Sequence, residues 1–132
     1  MRVILFQDRF VELIRNGAKP HTIRKSARCK PGDRLSLRRW TGKPYRSKQE
    51  IILEAVCVSI RPISMGHGID ANGISIDSEE CHAARRQILA KQDGFKNDRE
   101  MLMWFAGMHG LSFQGFLIEW HADDMDKPPN FS

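Results

Sequence analysis

The spacing of apolar and polar residues along the chain predicts a fold that mixes strands and helices. Apolar runs and alternation predict strands over residues 3–6, 34–40, 51–60, 73–77 and 113–121, with a short extended piece at Thr22-Ile23. Apolar spacing of three and four predicts helices over residues 8–14, 78–91 and 97–108. Such an order favours an α+β fold, a small partly open β-barrel of about five to six strands with two to three flanking helices.

Turn and capping residues set the predicted boundaries of these elements. Asp8 is predicted to cap the first helix and Asn97 or Asp98 the third, while residues 64–72 predict a loop and Ser78 the start of the second helix. The buried faces of the second and third helices are predicted to consist of Cys81, Ala84, Ile88 and Leu89, and of Met101, Leu102, Trp104, Phe105 and Met108.

The length of 132 residues predicts one domain over residues 1–121 and a flexible acidic tail over residues 122–132. Hydrophobic residues make up 41% and charged residues 28%, which argues against disordered, collagen-like and membrane proteins. No apolar run approaches the roughly 18 residues of a membrane span, and the start MRVILF does not fit a signal peptide. These two observations predict a cytoplasmic protein. Cys29, Cys57 and Cys81 are far apart and form no C-x-x-C pair, which fits reduced thiols.

The net charge of +5 is distributed unevenly along the chain. Residues 15–48 carry twelve basic residues against Asp33, a net +11, whereas the rest carries nine basic and fifteen acidic residues. This asymmetry is typical of a protein that binds a polyanion, although the cations could instead pair with the acidic half of the chain. Two aromatic residues among the cations offer stacking faces. The nucleic-acid-binding candidates are Arg24, Lys25, Arg38, Arg39, Trp40, Lys43, Tyr45, Arg46 and Lys48.

General catalytic and metal-binding motifs are absent from the sequence. There is no Walker loop, G-x-G-x-x-G, H-E-x-x-H or G-x-S-x-G. His67, His82, His109 and His121 fall in different predicted elements and lack ligand spacing. The sequence therefore predicts neither a metal site nor a cofactor.

Five short segments occur in an order that points to a family. They are Gly17-Ala-Lys-Pro-His-Thr-Ile-Arg24, Pro31-Gly-Asp33, Gln92-Asp-Gly-Phe95, Glu100-Met-Leu-Met-Trp-Phe105 and Phe113-Gln-Gly-Phe-Leu-Ile-Glu-Trp120. Through them residues 3–120 resemble the ASCH domain family (activating signal cointegrator homology), a branch of the PUA-like superfamily. The stretch from Thr41 to Gln49 resembles the loop of a small ASCH subgroup common in phages and prophages. The resemblance implies a PUA-like β-barrel with a cleft and RNA-related roles.

ASCH members include small bacterial enzymes that hydrolyse N4-acetylcytidine, and some relatives are described as ribonucleases. The resemblance places the catalytic groups of the amidohydrolases on Lys19, Thr22 and Asp93, next to Arg24, with Asp93 standing where those enzymes have glutamate. It implies that a desolvated Lys19 takes the proton of the Thr22 hydroxyl as that oxygen attacks an acetamide carbonyl. Asp93 is one methylene shorter than glutamate, a change of about an ångström that is large enough to disturb proton transfer.

Each catalytic candidate also has a simpler interpretation. Lys19 and Arg24 fit phosphate contacts equally well. Thr22 fits a side chain that satisfies a loop backbone group. Asp93 fits either an ion-pair partner for Arg24 or Lys19, or a turn residue before Gly94. The sequence assigns no role to His21. Trp104 and Trp120 lie on apolar faces and are predicted to belong to the core.

The leading interpretation is an RNA- or modified-nucleoside-binding protein that acts through a basic cleft. One alternative is an amidohydrolase that deacetylates N4-acetylcytidine. Another is a metal-independent single-strand ribonuclease that uses Tyr45 and Lys48, with Ser47 beside them. A non-catalytic module would instead bind RNA in a salt-sensitive way without turnover. No membrane or metal partner is expected, and the oligomeric state is left open.

Overall fold

The computed structural model describes residues 1–67, 73–110 and 112–122. Within these residues the strands are β1 (Arg2–Leu5), β2 (His21–Arg24), β3 (Arg34–Trp40), β4 (Gln49–His67), β5 (Gly73–Ile76), β6 (Glu79–Glu80) and β7 (Phe113–Ala122). The helices are α1 (Val11–Arg15), which follows a single 3₁₀ turn at Asp8–Phe10, α2 (Ala83–Asp93) and α3 (Asp98–His109). The described part of the chain is therefore α+β, with one mixed seven-stranded sheet and three α-helices.

The sheet is organised around β4, its longest strand. β3 and β5 pair with the two ends of β4 along one edge, and β7 pairs with the middle of β4 along the other. β1 pairs in parallel with β3, and β2 pairs antiparallel with β7. The result is a five-strand path in the order β1, β3, β4, β7, β2, from which β5 and β6 branch. Among the described residues no backbone ladder joins β1 to β2, so the sheet is not closed.

Two apolar clusters form the core. One packs α1 against β3, the first half of β4 and β7, and its most buried members are Ile14, Leu35, Leu37, Ala55 and Cys57. The other packs α2 and α3 against β5, the end of β4 and β7, and its most buried members are Ile63, Met65, Ile74, Cys81, Ala90 and Met101. The loop between α2 and α3 and the strand β2 meet between these two clusters, which is where the candidate site lies.

Several predicted boundaries differ from the structure. β4 continues to His67, so the loop predicted over residues 64–72 is wrong for residues 64–67, and the rest of it lies outside the described residues. The extended piece predicted at Thr22-Ile23 is longer, since β2 covers His21–Arg24. Ala122 belongs to β7 and is buried, whereas the sequence assigned it to the tail. Residues 123–132 of that predicted tail lie outside the described residues.

The predicted start of the second helix at Ser78 is also wrong. Asp77 and Ser78 both have positive φ angles, which an α-helix cannot accommodate, and Glu79–Glu80 instead pairs with β5. α2 begins only at Ala83, after His82, whose Nδ1 accepts a hydrogen bond from the Arg85 N–H at 3.2 Å. The delayed start leaves Cys81 outside the helix, although its side chain is buried as predicted.

Some of the predicted helix caps and buried helix faces agree with the structure, and others are wrong. Asn97 caps α3 as predicted, because its Oδ1 accepts from the Glu100 N–H at 2.8 Å. Asp8 does not cap the first helix; its carboxylate pairs with Arg39. Three residues that were predicted to be buried are exposed: Ala84, Ile88 and Met108. In the described part of the chain, no helix combines the length and the apolar character that crossing a bilayer requires.

Candidate functional site

A buried ion pair joins two residues that are 74 positions apart in the sequence. Lys19 is 2% exposed, and its Nζ donates to Asp93 Oδ1 at 2.7 Å and to the Asp93 backbone carbonyl at 2.9 Å. Asp93 is the last residue of α2, where backbone carbonyls lack intrahelical donors and carry the negative end of the helix dipole. The lysine therefore satisfies the helix end and the carboxylate with one ammonium group.

Local sequence holds both members of this pair in place. The backbone N–H of Lys19 donates to the Leu13 carbonyl at 2.9 Å, which ties the segment after α1 to that helix. α2 ends at Gly94, which has a φ of 102°. A Cβ at Gly94 would lie 2.7 Å from the Phe10 ring, so glycine is needed for both backbone angle and space. The ring of Phe10 lies 4.8 Å from Lys19 Nζ, within the range of a cation–π contact.

Burial sets the protonation behaviour of Lys19. Removal from water lowers the pKa of Lys19 below its ordinary value, because a charged amine loses hydration that the protein only partly replaces. The charge of Asp93 and its hydrogen bond oppose this shift, and the nearby guanidinium of Arg24 adds to it. Lys19 is therefore closer to losing its proton than an exposed lysine is.

Thr22 and Arg24 lie beside this pair on β2. Thr22 is buried opposite Ile118 of β7, and its Oγ1 accepts a hydrogen bond from Arg24 Nε at 3.1 Å. Arg24 Nη2 donates to the Leu5 carbonyl at the end of β1 at 2.7 Å, and the guanidinium lies 4.9 Å from the centre of the Phe6 ring. Burial lowers the pKa of Arg24, while Asp93 opposes that shift. Arg24 thus directs two donors into the protein and bridges the two edge strands of the sheet.

A cavity of about 240 Å³ brings the three catalytic candidates together. Lys19, Thr22 and Asp93 all line it, with Arg24 and Lys25 at the same cavity. Its remaining lining is largely aromatic and comes from Phe6, Phe10, Phe95, Trp104, Phe105 and His109, together with Leu5, Gln7 and Ile23. A cavity with aromatic walls and a few convergent polar groups is suited to a flat heteroaromatic ligand.

The arrangement inside the cavity differs from the simplest catalytic geometry. Among the described residues, no hydrogen bond joins Lys19 Nζ to the Thr22 hydroxyl; Lys19 is bound to Asp93 and Thr22 to Arg24. The shorter side chain of Asp93 nevertheless reaches the lysine, since the two polar atoms lie 2.7 Å apart. The interpretation of Asp93 as an ion-pair partner of Lys19 is confirmed.

His21 is a member of the site to which the sequence assigned no role. Its side chain is 3% exposed, and Nε2 lies 3.3 Å from Asp93 Oδ1. The geometry is not that of a hydrogen bond, and Nε2 has no other hydrogen-bond partner among the described residues. Asp93 is therefore approached by Lys19 and by an imidazole. One feature of the sequence could have pointed to His21: it is a polar residue directly before Thr22-Ile23, in a segment predicted to be extended.

The predicted nucleic-acid-binding residues fall into two groups. Arg38 and Arg39 make contacts within the protein: Arg38 donates to Ser36 Oγ and Gln49 Oε1, and Arg39 pairs with Asp8 and Glu50. Arg24 joins them because its donors point inward. For these three arginines, pairing within the protein describes the structure better than free cationic side chains. Arg39 also lowers the pKa of Glu50 by hydrogen bonding and charge.

The other cations remain exposed. Lys25, Lys43, Arg46 and Lys48 are exposed and form no ion pair within the described ranges. Three of them lie in the turn between β3 and β4, together with Tyr45, which is 86% exposed. The Tyr45 ring packs against Trp40 with ring centres 5.2 Å apart. A small aromatic platform with cations around it therefore lies beside the Lys19 cavity, because Trp40 and Tyr45 line a neighbouring cavity that shares Leu5, Phe6 and Gln7 with it.

The two remaining tryptophans differ in position. Trp120 is buried in the α1 cluster, as predicted for a core residue. Trp104 packs against the other cluster and also lines the cavity, so it belongs to both core and site. Cys29, Cys57 and Cys81 are free thiols. Within the described ranges, no group of three His, Cys, Asp or Glu side chains is placed to hold a metal ion.

The fold and the cavity define a small α+β protein with a buried lysine–aspartate pair in an aromatic-walled pocket. Comparisons of the chain with protein-family models, with curated proteins and with solved structures find no match. The ASCH resemblance therefore stays a prediction, and the chemistry of the cavity carries the functional inference.

Proposed function

We propose that the protein is a PUA-like ASCH domain that binds a modified nucleoside in the Lys19 cavity and hydrolyses the amide of N4-acetylcytidine. One observation carries this proposal: Lys19 and Thr22 of one segment and Asp93, more than seventy residues further along the chain, line one small cavity. The aromatic walls supply stacking surfaces for a base. The five-strand path with β1 and β2 at its ends, bridged by Arg24, supports the barrel interpretation.

The proposed reaction uses groups already in the cavity. Neutral Lys19 takes the proton of the Thr22 hydroxyl as its oxygen attacks the acetyl carbonyl carbon. The bond between that carbon and N4 breaks, and the proton passes from Lys19 to the leaving amine. Water then cleaves the resulting ester, which releases acetate and restores Thr22. Arg24 stabilises negative charge on the Thr22 oxygen through its hydrogen bond of 3.1 Å.

Two features of the site support this division of roles. Burial lowers the pKa of Lys19, which increases the fraction of neutral amine available as a base. Asp93 holds the amine at the cavity, and catalytic hydrogen bonds commonly shorten only when substrate is bound. The mechanism requires Lys19 Nζ to approach the Thr22 hydroxyl in that complex.

The test is acetate release from N4-acetylcytidine by the purified protein, followed by chromatography. We expect Thr22→Ala to lower the rate by about a thousandfold or more, because it removes the attacking oxygen. Ser75→Ala, which removes a hydroxyl from β5 outside this cavity, is the matched control and should keep the wild-type rate. No acetate release by the wild-type protein, or full release by Thr22→Ala, would rule out the mechanism.

A second candidate function is RNA binding, with or without cleavage, at the turn between β3 and β4. It is favoured by the contact between Trp40 and Tyr45 and by the exposed cations Lys43, Arg46 and Lys48 nearby in the turn. Labelled single-stranded RNA tests it: fragments that disappear in a Tyr45→Phe/Lys48→Ala variant support a ribonuclease. Binding without fragments, weakened by salt, supports a non-catalytic module. A cytoplasmic location and a phage or prophage origin stay predictions.

A further inference from the structure

A second cationic cavity lies near the N-terminal strand. It has a volume of about 480 Å³ and is lined by Met1, Arg2, Arg28, Cys29, Lys30, Asp33 and Arg34. Arg2, Arg28 and Lys30 are exposed and form no ion pair within the described ranges. Among the described residues that line it, Asp33 supplies the one carboxylate, which accepts a hydrogen bond from the Lys30 backbone N–H at 3.0 Å and is thereby held within its own turn. The described lining therefore has an excess of positive charge.

The turn that carries these cations is anchored to the sheet. The backbone N–H of Gly32 donates to the Cys57 carbonyl at 2.8 Å, and the Cys57 N–H donates to the Asp33 carbonyl at 2.8 Å. Both bonds join the turn to β4, the central strand. Lys30 is the first residue of this turn, since the Asp33 N–H donates to the Lys30 carbonyl at 3.0 Å, so its position is tied to the same sheet that carries the Lys19 cavity.

A groove connects the cationic cavity to the Lys19 cavity. A third cavity, of about 570 Å³, follows β1 and the residues after β2. It shares Leu5, Arg24 and Lys25 with the Lys19 cavity and shares Met1, Arg2, Arg28 and Cys29 with the cationic cavity. The groove therefore runs between the two edge strands that no ladder joins, and Lys25, Arg28 and Arg2 line it.

We propose that this groove binds the phosphates of a single RNA strand whose nucleoside enters the Lys19 cavity. The cations along it suit a chain of regularly spaced anions, and the groove opens into the only described cavity that contains both Thr22 and Asp93. The choice of RNA rests on the proposed function, because that substrate is a ribonucleoside. The physiological substrate is then an RNA strand, with the free nucleoside a minimal form of it.

The test measures binding of fluorescein-labelled octauridylate by anisotropy at several salt concentrations. In Arg28→Gln/Lys30→Gln we expect affinity to fall about fivefold at low salt. The slope of log K against log salt should shrink by about 1.4, which corresponds to two phosphate contacts on a single strand. Lys91→Gln/Arg99→Gln removes the same charge from α2 and α3 and should match the wild-type affinity and slope.

Three results would overturn the proposal. The first is that the wild-type protein does not bind octauridylate, and the second is that the two double variants lose the same amount of affinity for it. The third is that the protein binds an octaglutamate peptide as tightly as octauridylate, which would assign the groove to acidic protein segments. The oligonucleotide carries no acetyl group, so the result does not depend on hydrolysis. If the protein binds octauridylate with the expected salt dependence but releases no acetate from N4-acetylcytidine, the proposed groove is supported and the proposed reaction is ruled out.

Discussion

Replacement of Asp93 by asparagine tests the physical basis of the site, because it removes a charge and keeps nearly the same shape. In the wild-type protein Asp93 Oδ1 lies 2.7 Å from Lys19 Nζ, and both side chains are almost fully buried. After the substitution the ammonium retains the Asp93 backbone carbonyl, 2.9 Å away, and the Phe10 ring. It loses the only full negative charge that contacts it among the described residues.

The expected loss of stability in Asp93→Asn follows from the burial of the ion pair. Breaking a buried ion pair by removing one partner typically costs about 3–5 kcal/mol, because the remaining charge stays out of water without compensation. For a chain of 132 residues this corresponds to a decrease in Tm of about 10–18 °C. Asp77→Asn is the matched control, since Asp77 is exposed and lies 3.8 Å from Arg61. We expect it to change stability by no more than about 0.5 kcal/mol.

The loss of folding stability in Asp93→Asn should depend on pH, and in one direction only. Asp93 opposes the lowering of the Lys19 pKa, so Asp93→Asn lowers the pKa of the folded state further. Between that lowered pKa and the ordinary lysine value of about 10.4, the unfolded state binds more protons than the folded state. Stability therefore rises with pH across this window, by at most about 1.4 kcal/mol per pH unit. The difference in the free energy of unfolding between the wild-type protein and Asp93→Asn should therefore become smaller as the pH increases from 7 to 9.5.

Urea unfolding followed by circular dichroism gives the free energies at each pH. The double variant Lys19→Met/Asp93→Asn removes both charges, and we expect it to recover part of the stability that Asp93→Asn loses. An Asp93→Asn protein within about 0.5 kcal/mol of wild type at pH 7 would refute the reasoning. So would a deficit that stays constant up to pH 9.5, because Lys19 would then not be the titrating group.

Three further predictions concern the core and the thiols. Leu37→Ala should destabilise the protein by about 2–5 kcal/mol in urea unfolding, because Leu37 is fully buried in the α1 cluster. Gly115→Ala should also destabilise it, since the new Cβ would collide with the Arg24 carbonyl and the Phe113 ring; a variant with unchanged Tm would contradict that contact. Burial raises the pKa of Cys57 to about 11, so iodoacetamide should label it slowly at pH 8 and faster in urea; equal rates would be inconsistent with its burial.

Strongly patterned elements of the fold are predictable from the sequence. The alternation of apolar and polar residues located β3 and the first part of β4, and Asn97 located the start of α3, because these signals are local. The start of α2 depends on neighbouring strands instead. Glu79–Glu80 forms a short edge strand against β5, a tertiary pairing that overrides the helix propensity of two glutamates.

The site was only partly predictable from the sequence, because its residues lie far apart along the chain. Lys19 and Asp93 meet across 74 residues, and no periodicity or spacing connects them; only the order of motifs in a resembling family suggested that they act together. The role of His21 was missed because its contact with Asp93 is likewise non-local. The exposed or paired state of each cation also depends on tertiary neighbours, which explains why Arg39 and Lys25 differ although both lie in the same basic segment.

Arg24 shows how one residue joins the fold to the site. The sequence placed it among nucleic-acid contacts, yet its guanidinium bridges the Leu5 carbonyl on β1 and the Thr22 hydroxyl on β2. Because β1 and β2 are the free ends of the five-strand path, the same cation that holds these ends together also fixes the orientation of the proposed nucleophile. A movement that widens the groove between β1 and β2 would break the hydrogen bond from Arg24 to the Leu5 carbonyl and release one of the two contacts that orient the guanidinium beside Thr22. We therefore expect binding of a strand in the proposed groove to change how Arg24 holds the Thr22 hydroxyl in the proposed reaction.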